Sequence, residues 1–292
     1  MTAKAIGSQA VFWSEGHFHS TRYRGIVDGV RRAALEMYDA FAVPNQRSEA
    51  WIRSFVKNER PILRLPNTVQ EDFFFYPDQD ARNRARRELQ ISRDARILVQ
   101  VSQLHAKKGV IPLARAFANQ AAPDQILAFV GDGPLRQELA SIANSLPSLS
   151  GRIILTGFAC PDTVRQWLWA ADGFALNSHI DPNPLAAIEA AFASLPLIIS
   201  SKVGNVAEVL GDRNGWRIAD PDNPGDAIRE FLQSDLMEIR RMGVRSLQNA
   251  HHHFARARSV TRFLDDIFSL CGHQTVSDFN ASTKVFSQRA GE

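Results

Sequence analysis

The feature that most limits what this chain can fold into is the regular return of short apolar runs, each closed by a turn and followed by a helical pattern. Ile97–Val101, Ile126–Val130, Ile153–Gly157, Phe174–Leu176 and Leu197–Ser200 recur in this way. Runs of that length without polar alternation read as strands buried on both faces, and strands that alternate with helices pair in parallel. The expected class is therefore α/β, with a doubly wound parallel sheet of the Rossmann type. A shorter set precedes it: Val11–Trp13, a helix from about Gly25 to Tyr38, Ala40–Val43, a helix from Ser48 to Lys57, and Pro61–Leu65. Three strands are fewer than a complete domain of this type carries. The 292 residues are thus expected to divide into three parts. Residues 1–75 form an incomplete N-terminal α/β portion, 76–270 a Rossmann-like domain, and 271–292 a polar, unpatterned, disordered tail.

Composition narrows the function class. A hydrophobic content of 45% suits a globular core, yet no run approaches the ~20 apolar residues of a membrane span. Met1–Val11 lacks the charged-then-apolar pattern of a signal peptide, and two cysteines, Cys160 and Cys271, give neither a metal nor a disulfide framework. Cytoplasmic residence is the expectation. A net charge of +3 is too small for a dedicated nucleic-acid binder. It is concentrated in Arg82, Arg84, Arg86, Arg87 and Arg93, which read as a solvated helix face or, alternatively, as a contact to an anionic membrane surface. His17 and His19 follow a strand and read as loop residues, with a catalytic role as the alternative. His251–His253 fall on a helix, where successive side chains diverge and make a poor metal site.

The densest chemistry lies between Asp172 and Glu189. A buried strand passes through the polar loop Asn177–Ser178–His179–Ile180–Asp181 into a helix, with Asn183 expected as N-cap and Pro184 as the first helical residue. A helix start offers free N–H groups and a positive dipole end, which seats phosphate. Asp181 before the start and Glu189 on the second turn would flank such an anion. In open α/β sheets ligands lie beyond the carboxyl ends of the strands. That places Lys107–Lys108–Gly109, the turn Gly131–Asp132–Gly133–Pro134 and Gly157–Phe158 at the same rim. Lysines there can neutralise a diphosphate, and glycines allow close backbone approach.

In this order the motifs resemble the GT4 family of retaining glycosyltransferases, which have the GT-B fold. The matching elements are Leu65–Thr68, Val101–Leu104 with Lys108–Gly109, Val130–Pro134, Gly157–Phe158, Ala171–Asp172 through Asn177–Ser178, Asp181–Glu189 and Asn214–Gly215. The resemblance covers residues 60–265 well and 10–60 loosely. It implies transfer of a hexosyl group from a UDP- or GDP-sugar, with retention and without a metal cofactor. The acceptor would be a glycan, a lipid-linked sugar or a small molecule, in the setting of polysaccharide biosynthesis. It further implies that Lys108 holds the donor diphosphate and that Glu189, the second acid of the family's E-x7-E motif, binds the ribose hydroxyls. Asp181 would contact the transferred sugar, as a catalytic residue together with Lys108. Backbone at Asn183, Pro184 and Leu185, with Gly131 and Gly133, would meet phosphates and sugar, and Phe158 the base. The chain departs from the family pattern at Gln103, where the family has an arginine, and at Asp181, where it has a glutamate. It shows neither the Gly-rich loop nor the catalytic histidine of the family's N-terminal domain. These departures keep a second reading open, a nucleotide-sugar-binding member that does not catalyse transfer. A third is a basic scaffold at the cytoplasmic membrane face.

Overall fold

The computed structural model describes residues 8–16, 25–56, 59–76, 78–145 and 152–272. His17 and His19, and the expected tail from 273 onward, lie outside them. The chain divides into two compact units, Met1–Asn67 with Phe254–Glu292, and Thr68–His253.

The smaller unit holds a parallel three-stranded sheet in the order β1 (Val11–Trp13), β2 (Ala40–Val43), β3 (Ile62–Arg64). The two-residue period of a strand sends Phe41 and Val43 to one face, where they pack with Leu35, Trp51 and Ile52. Ala40 and Ala42 go to the other face with Leu63, where Phe263, Ile267 and Leu270 cover them. These last three belong to the helix Arg256–Leu270, which the sequence reading assigned to the second domain. The helix packs on β3 of the smaller unit instead. Its apolar stripe says that it must be covered, and does not say by which sheet. The helix Gln46–Arg53 begins two residues earlier than expected, because Asn45 caps it by accepting the Ser48 N–H at 2.9 Å.

The larger unit is built on six parallel strands: β4 (Arg96–Val101), β5 (Gln125–Val130), β6 (Ile153–Gly157), β7 (Gly173–Leu176), β8 (Leu197–Ser200) and β9 (Gly215–Ile218). Their spatial order is β6-β5-β4-β7-β8-β9. This is the doubly wound order of dinucleotide-binding sheets. Leu98, Leu127, Phe129, Ala175 and Ile198 share a core with Leu113, Phe117, Ile228 and Phe231 from the covering helices. Full burial of a side chain such as Phe129 contributes about 2 kcal/mol. The sheet reverses between β4 and β7, which pair in parallel through Leu98–Gly173 and Val99–Phe174. The loops leaving those two strands therefore diverge and leave a crevice at their carboxyl ends.

The basic run on the helix Gln79–Glu88 is only partly a solvated face. Arg86 is fully buried and donates to the carbonyls of Ala170, Arg93 and Ala95 and to Asp172 at 2.8 Å. Arg82 binds the other oxygen of Asp172 and the Ala171 carbonyl. Asp172 also accepts the Ile97 N–H at 2.8 Å. Two of the five arginines thus lock the helix to the starts of β4 and β7, while Arg84, Arg87 and Arg93 remain exposed. Among the described residues no helix is long and apolar enough to cross a membrane.

Candidate functional site

The crevice between β4 and β7 is assembled by loops that grip one another through backbone. After β4 the chain turns through the short 3₁₀ segment Ala106–Lys108 into the helix Val110–Ala118. Gly109 makes that turn at φ +59°, and a Cβ there would lie 2.0 Å from the Asn177 carbonyl oxygen. Asn177, wholly buried at the end of β7, donates to the carbonyls of Gly109 at 3.0 Å and Pro221 at 2.7 Å. Gln100, equally buried in β4, donates to the Lys108 carbonyl at 3.1 Å. The His179 N–H adds a bond to the Lys107 carbonyl at 2.8 Å. These bonds fix the backbone that carries Lys108 directly against the loop that carries Asp181.

The two side chains meet: Lys108 Nζ lies 2.5 Å from Asp181 Oδ2. Asp181 is held by a parallel bridge to Val203 and by the Gly204 N–H, which donates to its carbonyl at 2.8 Å. This bridge keeps the chain extended past Asp181, so the helix starts later than the sequence suggests. It runs Leu185–Phe192, with Pro184 in the cap position at ψ 122° and no side-chain cap. Asn183 is not the N-cap, and its Nδ2 is buried without a partner. The start of the helix consequently has no side-chain cap for its first N–H groups. Ser178 Oγ and the side-chain oxygens of Gln100, Asn177 and Asn205 are likewise buried and unmatched. Asn183 Nδ2 and Asn205 Oδ1, with Asn205 Nδ2 3.4 Å from the Pro184 carbonyl, are the unmatched groups at the helix start that a polar ligand could meet.

Glu189 is the fifth residue of that helix, about 6 Å along its axis from Leu185. Its carboxyl has neither a hydrogen bond nor an ion pair among the described residues, and burial pushes it up to about 7. An acid so placed is an acceptor awaiting donors such as vicinal hydroxyls.

The remaining expected residues fall along the same rim. Gly131, at φ +144°, brings its backbone so close to Ser102 that a Cβ would meet that carbonyl at 2.1 Å, and Gly133 packs similarly on Leu104. Leu104 N–H and carbonyl bind Asp132 and Leu135 at 2.9 and 3.0 Å. The glycines thus join the loops after β4 and β5, a structural need beside the ligand approach expected from the sequence. Gln103 and Leu185 are exposed at the crevice, and Phe158 is 89% exposed after β6. From β6 to β7 is three strand spacings, about 14 Å, the span of an extended nucleoside diphosphate sugar. His251 lies away from this rim, stacked edge-on against Phe192 and 3.8 Å from Glu71. Sequence reasoning missed Gln100 and Asn177. A glutamine inside the apolar run Ile97–Val101 was the available signal, since a buried amide must have partners.

Comparison with known proteins bears on this geometry. A family model, glycosyl transferases group 1, matches residues 81–245. The chain is 31% identical over 138 residues to the putative teichuronic acid biosynthesis glycosyltransferase TuaC of Bacillus subtilis, covering 47% of this chain and 32% of that one. It is 26% identical over 237 residues to N-acetyl-alpha-D-glucosaminyl L-malate synthase of Bacillus anthracis, covering 80% and 60%. The chain therefore spans less than two thirds of these relatives' length. Among solved structures, Anabaena Alr3699/HepE in complex with UDP superposes at a TM-score of 0.73, with 16% identity over 92% of this chain and 74% of that one. Sucrose-phosphate synthase from Thermosynechococcus elongatus gives 0.69, with 23% identity over 87% and 66%. These likenesses establish the fold as the parallel-sheet α/β type of GT-B glycosyltransferases.

Proposed function

As this chain belongs to the glycosyl transferases group 1 family, we propose that its β4–β7 crevice binds a nucleotide-diphosphate sugar and that the chain transfers the hexosyl group to an acceptor with retention of configuration. The observation that carries the reading is the partnerless, largely buried carboxyl of Glu189, on the second turn of a helix with no side-chain cap whose approach loop carries the Asp181–Lys108 ion pair. In this reading Glu189 accepts the ribose hydroxyls, and the helix N–H groups and Lys108 receive the diphosphate. Phe158 offers a face to the base, and Asp181 turns toward the sugar. Lys108 pairs with Asp181, so a donor diphosphate and the Asp181 carboxylate compete for the same ammonium. As the glycosidic bond breaks, charge grows on the leaving diphosphate, where Lys108 and the helix start stabilise it. Attack from the face of departure would retain configuration. Gln103 contributes hydrogen bonds without a fixed charge. The UDP held by a structural neighbour supports the donor class, and the relative named for teichuronic acid biosynthesis supports a glycan acceptor.

The test is titration calorimetry with UDP and GDP, followed by an assay of donor hydrolysis and transfer. Glu189→Ala is expected to abolish nucleotide binding, and unchanged affinity would overturn the assignment. Binding without hydrolysis or transfer would identify a nucleotide-sugar binder rather than a transferase.

A further inference from the structure

The larger unit carries a cavity of about 310 Å³ at the opposite end of its sheet from the crevice. Ala171 and Asp172, which precede β7, and Leu195 and Pro196, which precede β8, form its floor, whereas the crevice lies where strands end. One side is apolar, built from Trp169, Ile239 and Val244. The other presents Tyr76, Arg82 and Arg240. Trp169 is fixed in place, its Nε1 donating to the Phe74 carbonyl at 3.0 Å.

The polar side is electropositive. Arg82 and Arg86 share the single carboxylate of Asp172, which leaves one positive charge over. Arg240 has no acidic or hydrogen-bonding partner among the described residues and is exposed at the cavity mouth. Tyr76 is half-buried, and its hydroxyl has no hydrogen-bond partner among the described residues. Burial pushes that phenol above its ordinary value, with the charges of Arg82 and Arg240 opposing the rise, so it stays a neutral hydrogen-bond donor. Asp78 is the acid that also faces it, and its carboxylate is occupied as the helix cap, accepting the Ala81 N–H at 2.8 Å. Of the charged groups that line this half-apolar cavity, Arg82 is held by Asp172, so the Arg240 guanidinium and the Tyr76 phenol are left to bind something. Guanidinium groups prefer oxyanions, and the apolar wall excludes a bare inorganic ion as the best fit.

We propose that this cavity is a second ligand site, which takes an amphiphilic oxyanion: a single phosphate-type head on Arg240 and Tyr76, with an apolar body against Trp169, Ile239 and Val244. The proposal is independent of the sugar-transfer reading, because none of its residues belongs to the crevice.

Hexyl phosphate is the probe, titrated into the full chain by calorimetry with hexanol and inorganic phosphate as half-ligands. Hexyl phosphate is expected to bind at least about tenfold tighter than either, since each half-ligand lacks one side of the match. Arg240→Gln, at an exposed position with no partner to lose, should weaken it about tenfold. Val244→Glu, one turn further on the same helix, should do the same by repulsion. Saturating UDP should leave the affinity unchanged. Equal affinity for hexyl phosphate in both variants, or its displacement by UDP, would overturn the proposal. Vesicles of phosphatidylcholine with and without phosphatidic acid distinguish the source. Arg240-dependent binding to the anionic vesicles identifies a lipid head, and hexyl phosphate binding without vesicle binding identifies a soluble ester; either outcome supports the site.

Discussion

At Glu189 a single carboxyl carries opposing demands. Its folded value of about 7 stands above the ordinary 4.5, because burial removes water from the charged form. Below about pH 4.5 the group is protonated whether the chain is folded or not, and it carries no penalty. Between 4.5 and 7 the unfolded chain releases the proton first, so folding stability falls as pH rises, and above 7 the full penalty remains. Partial exposure reduces it to roughly 1–3 kcal/mol. Glu189→Gln is therefore expected to be more stable than the parent at pH 8 by that amount and nearly equal at pH 4, in urea unfolding at both values. A constant difference across pH would show that the carboxyl is solvated. Asp181 makes a separate prediction. Asp181→Asn releases Lys108 from its ion pair, so UDP affinity should hold or rise while transfer falls by about 100-fold or more. A parallel loss of UDP affinity in calorimetry would instead make Asp181 a positioner of the lysine.

At the scale of elements, the helix Gln79–Glu88 shows why charge patterns mislead. Five arginines within a dozen residues look alike in sequence, yet Arg86 is 1% exposed and Arg84 lies in solvent. What distinguishes them is Asp172, far along the chain, and no local pattern encodes that partner. Arg86→Met should lower stability by about 3–5 kcal/mol in urea unfolding, against within ~0.5 kcal/mol for Arg84→Ala. Similar small effects for both would mean that Arg82 alone satisfies Asp172. The start of the donor-site helix shows the same limit. Asn183–Pro184 has the residue types of a cap and first turn, but the bridge from Asp181 to Val203 holds the chain extended for longer. The strands themselves were legible, since Ile97–Val101 and Leu197–Ser200 are apolar enough to need burial on both faces.

For the whole molecule, sequence supplied five of the larger sheet's six strands and their parallel pairing, while β9 and the order across the sheet came only with the structure. Nothing in Leu98 or Phe174 announces that β4 and β7 are neighbours, although that adjacency creates the crevice. The crevice residues were found because their motifs keep a fixed order along the chain. The helix Arg256–Leu270 was misplaced because amphipathicity does not name a partner. The larger unit has its own six-stranded sheet and core, so residues 68–253 expressed alone should unfold cooperatively and bind UDP within about threefold of the full chain. A fragment without a cooperative transition would show that the core is incomplete without the flanking segments.

The smaller unit is discontinuous, and this has a consequence for how the protein is made. Ala40, Ala42 and Leu63 are translated before the larger unit, but the residues that cover them, Phe263, Ile267 and Leu270, come only after it. At ribosomal speed, the intervening stretch of about 190 residues takes on the order of 10–40 s to emerge. Throughout that interval the first sheet has one bare apolar face on the nascent chain, and the second unit can close before that face is covered. A sheet translated before the larger unit is thus finished only after it, and it is there that a chaperone would find its binding site during synthesis.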